Sequence, residues 1–159
     1  MNLLETRTQF GISQLEAAST LNIPVRTYIR YEKDDSYGSS LKREMMIKSL
    51  VDHYEITETK GILTIDFIKR TLTEVFDKEY TDQIEFCYLF GSYAKGYAKD
   101  SSDVDLCVST SLTGLKFVGL SESIRVALHK RIDLIRFSNL KDNIDLINEI
   151  MKDGIKIYR

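Results

Sequence analysis

Over the first third of the chain, apolar positions recur at helical spacing. They predict helices at residues 3–10, 13–21, 25–32 and 41–54. The breaks are Gly11, the Asn22-Ile23-Pro24 turn and the polar Asp34-Asp35-Ser36-Tyr37-Gly38 loop. Ser13 with Glu16 three residues on forms a capping box, and Pro24 suits the start of the third helix. After the polar stretch 55–60 the periodicity changes. A helix at 65–80 precedes strands at 83–90 and 103–108, a helix at 115–129, a strand at 131–137, a helix at 143–153 and a strand at 155–158. The expectation is α+β: an all-helical domain over residues 1–58, then a small α/β domain with a mixed sheet over 61–159. No internal repeat or low-complexity segment is present.

The densest chemistry lies where the first strand ends. The apolar run 86–90 leads into Gly91-Ser92, and after ten intervening residues stands Asp103-Val104-Asp105. Two aspartates two apart in a strand point to one face. Glycine permits a tight turn and close ligand approach. Ser92 offers a hydroxyl and a backbone N–H at the start of a short helix, where phosphate is favoured. Asp133 follows in an otherwise apolar strand, a costly place for an acid unless it is paired or metal-bound. Three carboxylates on adjacent strands suit two-metal phosphoryl transfer.

Gly91-Ser92-Tyr93-Ala94-Lys95-Gly96, followed by Ser102-Asp103-Val104-Asp105-Leu106, resembles the signature of the minimal nucleotidyltransferases of the polymerase-beta superfamily. Residues 131–137 match that family's third-aspartate strand, and 154–158 resemble its closing strand. The resemblance covers roughly 65–158. It implies Mg²⁺-dependent transfer of a nucleoside monophosphate from a triphosphate to a hydroxyl. Asp103, Asp105 and Asp133 would be catalytic and hold two Mg²⁺ ions. Gly91, Ser92 and Lys95 would contact the nucleotide, ATP. Lys95 departs from the family's more usual arginine and lacks its bidentate fork. For Lys95 and Lys99, triphosphate contact and simple surface solvation both stand.

Residues 13–32 resemble a Cro/repressor-type helix-turn-helix. Leu15, Ala18, Leu21, Ile23, Val25, Ile29 and Tyr31 are expected to pack its helices together. The resemblance places Arg26, Thr27, Tyr28 and Arg30 on the exposed face toward DNA, with Gln14 near phosphate. Charge tempers this reading, because residues 1–60 carry eight Lys/Arg against nine Asp/Glu. Phosphate contacts supply much of the affinity for DNA. Protein docking through Tyr28, Tyr31 and Tyr37 is the alternative.

The 159 residues are 43% hydrophobic with net charge -2, enough for one core or two small ones and without a global basic field. No stretch has the length of a membrane span, and the first ten residues have no signal-peptide pattern. Cys87 and Cys107 read as reduced core thiols, and the expected location is cytoplasmic. No helical acceptor domain follows the last strand, so the acceptor is expected on a partner. A helix-turn-helix joined to such a transferase resembles the antitoxin of HEPN–MNT toxin–antitoxin pairs. That resemblance implies transfer of AMP to a tyrosine of a HEPN ribonuclease toxin, with operator DNA as a further partner. The rivals are a non-catalytic DNA-binding antitoxin and an aminoglycoside-type nucleotidyltransferase.

Overall fold

Eight α-helices and four strands make up the computed structural model, which describes every residue from Met1 to Arg159. Contacts divide the chain into two units, Met1–Glu55 and Ile56–Arg159. No helix is long and apolar enough to cross a membrane.

The first unit holds α1 (Leu3–Phe10), α2 (Gln14–Thr20), α3 (Val25–Lys33) and α4 (Ser40–Tyr54). Its helix starts are written in local chemistry. Ser13 Oγ accepts from the Glu16 N–H at 3.1 Å, and the Ser13 N–H donates back to Glu16 at 2.7 Å, the expected capping box. Asn2 and Glu5 build a second one at α1. The core consists of Leu3, Ala17, Ala18, Tyr28, Tyr31, Met46 and Leu50.

Two expectations fail here, both for reasons of helical phase. Leu15 is 64% exposed, because the stripe facing the core runs through Ala17 and Ala18. Tyr28 is fully buried rather than displayed beside Arg26 and Arg30. Two residues turn a helix by about 200°, so Tyr28 points away from both arginines. Burial, reinforced by the nearby Glu32 charge, pushes its hydroxyl far above the ordinary tyrosine value. Glu32 itself binds Arg7 at 2.8 Å and accepts from Gln14 Nε2 at 2.8 Å, tying three helices at one carboxylate. Gln14 is thereby engaged inside the unit.

The second unit runs α5 (Ile65–Glu79), β1 (Ile84–Phe90), α6 (Gly91–Lys95), β2 (Val104–Thr110), α7 (Gly114–Leu128), β3 (Ile132–Arg136), α8 (Ile144–Asp153) and β4 (Ile155–Tyr158). A 3-10 turn at Phe137–Leu140, absent from the expected pattern, joins β3 to α8. The sheet order is β3-β2-β1-β4. Strand β1 is antiparallel to β2 and β4, while β2 and β3 are parallel, so the sheet is mixed as expected.

Alternation along β2 sorts the two faces. Val104, Leu106 and Val108 join the main core with Ile68, Leu72 and Phe76 of α5 and Leu120, Ile124 and Leu128 of α7. Cys107 points the other way, into a smaller cluster with Phe90, Leu140 and Ile150. Asp105 shares the parity of Cys107 and therefore lies on that second face. Cys87 belongs to the main core, so the two thiols sit on opposite sides of the sheet, buried and free. Burial pushes Cys107 up to about 11, which keeps it protonated.

Candidate active site

Strand β1 runs without a linker into α6, and Gly91 makes the corner with φ of +70°, a conformation that side chains rarely adopt. A Cβ on Gly91 would overlap the Asp105 carboxylate. Glycine is thus required twice, by the backbone and by the neighbour. Buried Tyr93 anchors the short helix to the main core. Ser92 is half-buried, and its carbonyl accepts from Tyr97 N–H at 3.1 Å to close the helix.

Asp105 stands opposite Asp133 in the parallel register of β2 and β3. Burial, and then the charges of Asp133, Asp103 and Glu149, push Asp105 up to about 6. Asp103 precedes β2 and is exposed. Its Oδ1 lies 3.0 Å from Arg131 Nε. Lys95 Nζ lies 2.6 Å from Glu149 Oε1, and this partner raises the lysine's pKa.

The carboxylates expected to act together are therefore neighbours, but they do not converge: no three His, Cys, Asp or Glu side chains are placed to hold one metal ion. Asp103 has a cation of the chain instead. The donor chemistry still suits a hard divalent ion. The donors are all carboxylate oxygens, and the charge on Asp105 is disfavoured by burial and by like charges.

Gly91, Asp105 and Asp133 are thus placed together, with Ser92 next to Gly91 on α6, Asp103 just before β2 and Lys95 held by Glu149. Two residues of this neighbourhood, Arg131 and Glu149, lie outside the expected site; Arg131 reads from sequence as a structural or surface residue. Arg131 shares the parity of Asp133, so period-two alternation could have signalled it. Glu149 lies on α8, and only tertiary packing brings it here. Arg26 and Arg30 are exposed on α3 and Thr27 is half-buried.

Comparison with known proteins bears on this geometry. The family model described as polymerase beta, nucleotidyltransferase matches residues 70–159. The protein adenylyltransferase MntA of Thermococcus cleftensis is 38% identical over 90 residues, which span 53% of this chain and 88% of that protein. A solved toxin–antitoxin structure with AMP-PNP has 21% identity and a TM-score of 0.49, covering 57% of this chain and 72% of that one. A tri-AMPylated Shewanella oneidensis HEPN toxin in complex with MNT antitoxin has 18% identity and a TM-score of 0.46, covering 60% and 72%. The family match takes in more than half of the chain and all of Gly91, Ser92, Asp103, Asp105 and Asp133, and the protein belongs to the polymerase-beta nucleotidyltransferase family.

Proposed function

We propose that this nucleotidyltransferase is the antitoxin of a HEPN–MNT pair and transfers AMP from ATP to a tyrosine hydroxyl of its HEPN ribonuclease partner. The observation that carries the proposal is Asp105, half-buried against Gly91 and facing Asp133, with its charge disfavoured until a cation arrives. Its 38% identity to a protein adenylyltransferase supports a protein as acceptor. The tyrosine oxygen forms a bond to the α-phosphorus of ATP, the bond from that phosphorus to the bridging oxygen breaks, and pyrophosphate leaves.

In this reading Gly91 and Ser92 present backbone N–H and hydroxyl donors to the terminal phosphates, and Lys95 adds a charge when it leaves Glu149. Asp133, exposed at the edge of the site, takes up the tyrosine proton; a free phenol near pKa 10 needs such help. Mg²⁺ held by Asp103, Asp105 and Asp133 would neutralise phosphate charge and polarise the reacting phosphoryl group.

The test is incubation of the full chain with Mg²⁺, α-labelled ATP and the HEPN-type protein encoded beside it. Label is expected on the partner's tyrosine and lost with Asp105→Asn. An unlabelled partner that is nevertheless inhibited by binding would replace this reading with a non-catalytic antitoxin; label on an aminoglycoside instead would replace it with small-molecule transfer.

One observation favours a second role, operator binding by the helical unit. Arg26, Arg30 and Lys33 recur on α3 at a spacing that aligns them on one face, and none of them forms an ion pair. In this role Arg26, Thr27 and Arg30 face DNA. Gln14 and Tyr28 drop out, because both are held inside the unit.

A further inference from the structure

Lys130 is a lysine with no exposed surface. Its ammonium donates to two backbone carbonyls, Asp100 at 2.6 Å and Lys60 at 3.2 Å. Removing an ammonium from water is expensive, and an apolar residue of similar volume would fill the same space at lower cost. What an apolar residue cannot do is hold a carbonyl by a charge-assisted hydrogen bond. The carbonyl of Asp100 belongs to the loop between α6 and β2, three residues before Asp103. The rest of that loop is fixed by lighter contacts. The Lys99 N–H donates to Ser102 Oγ at 2.8 Å, and Arg131 reaches the Ser101 carbonyl at 3.3 Å from an exposed position. The Val104 N–H then joins the Arg131 carbonyl at 2.9 Å, where β2 begins.

We propose that Lys130 is a positioning residue of the nucleotide site: its buried ammonium sets the loop that carries Asp103, and so the placement of Asp103 beside Asp105. The inference rests on the assignment of Asp103 and Asp105 to that site. Lys130 touches neither carboxylate and reaches the loop through the Asp100 carbonyl. Its loss therefore weakens capture of the metal–nucleotide complex more than the chemical step that follows.

The test uses the full chain, Lys130→Met, and calorimetric titration with Mn²⁺ and a non-hydrolysable ATP analogue. The dissociation constant is expected to rise about ten- to a hundredfold, the usual scale for losing a group that orients a metal ligand. The KM for Mg²⁺·ATP should rise with it, while kcat at saturation changes far less. Leu128→Ala, which opens a hole in the main core, serves as the control; it should lower the melting temperature and leave both constants in place. Equal binding by Lys130→Met and wild type, or an equal loss in Leu128→Ala, overturns the proposal. If Lys130→Met does not fold, Lys130→Leu, which also lacks a donor for the Asp100 carbonyl, is titrated in its place and read the same way. The titration needs no turnover, so a wild type that binds Mn²⁺ and the analogue but transfers nothing overturns the adenylyltransferase assignment alone. A wild type that binds neither overturns both.

Discussion

Gly91 and Asp105 touch: the carboxylate of Asp105 fills the space where a side chain on residue 91 would begin. In Gly91→Ala the new methyl must displace that carboxylate, and the left-handed backbone adds about 1–2 kcal/mol of strain. Labelled transfer is expected to fall by about a hundredfold or more, since displacements of an ångström cost that much in rate. Thermal unfolding should stay cooperative. A variant with wild-type transfer would show that Asp105 need not stay where it is.

Asp105 also sets a pH dependence. Its carboxyl rises from an ordinary 3.8 to about 6 in the fold. The folded protein therefore holds this proton over a range where the unfolded chain has released it, and stability falls as pH rises through that window. Asp105→Asn carries no such penalty. In chelator-treated protein it is expected to exceed wild type by about 1–2 kcal/mol at pH 8 and to match it below about pH 4. Melting temperatures at the two pH values check this; an equal gain at both would trace it to packing and not to charge.

Arg131 competes for Asp103. Both side chains are about half exposed, so the pair contributes under about 1 kcal/mol to stability. Arg131→Ala should leave the melting temperature nearly unchanged and lower the Mg²⁺ concentration for half-maximal transfer several-fold. A higher requirement would mean that Arg131 assists metal capture.

Glu149 restrains Lys95 and adds to the charge around Asp105. Glu149→Gln should release the lysine and lower the KM for ATP. It should also move the acid limb of the pH–rate profile to lower pH, because one of the charges raising Asp105 is gone. A profile that stays in place would remove Glu149 from the electrostatics of the site.

On the helical unit, Arg26→Ala and Arg30→Ala should each weaken operator binding and reduce its salt slope by about one. Tyr28→Ala should instead unfold the unit, at about 3–5 kcal/mol for a buried aromatic. Fluorescence anisotropy across a salt series and far-ultraviolet circular dichroism separate the two effects.

What could be read from the chain followed from period and local chemistry. Strand alternation grouped Asp103 with Asp105, although β2 begins only at Val104, and Ser13 with Glu16 marked the start of α2 to the residue. The resemblance to a helix-turn-helix placed Tyr28 on the exposed face, but Tyr28 stands about 200° around α3 from Arg26 and Arg30 and is buried. Leu15 failed similarly, at the margin of a stripe centred on two alanines. Glu149, the Glu32 hub and the burial of Lys130 depend on contacts between segments far apart in sequence. No local periodicity carries that information.

The pairing of Asp105 with Asp133 has a consequence for biosynthesis. Parallel strands cannot be joined by a tight turn, and here α7 supplies the crossover between β2 and β3. During translation, a nascent chain that has emerged only as far as α7 carries Gly91, Ser92, Asp103 and Asp105 but lacks their opposing carboxylate. The complete constellation appears only after the crossover helix has docked and β3 has added to the sheet. A ribosome stalled within α7 would release a fragment with the signature motif and without the strand that carries Asp133.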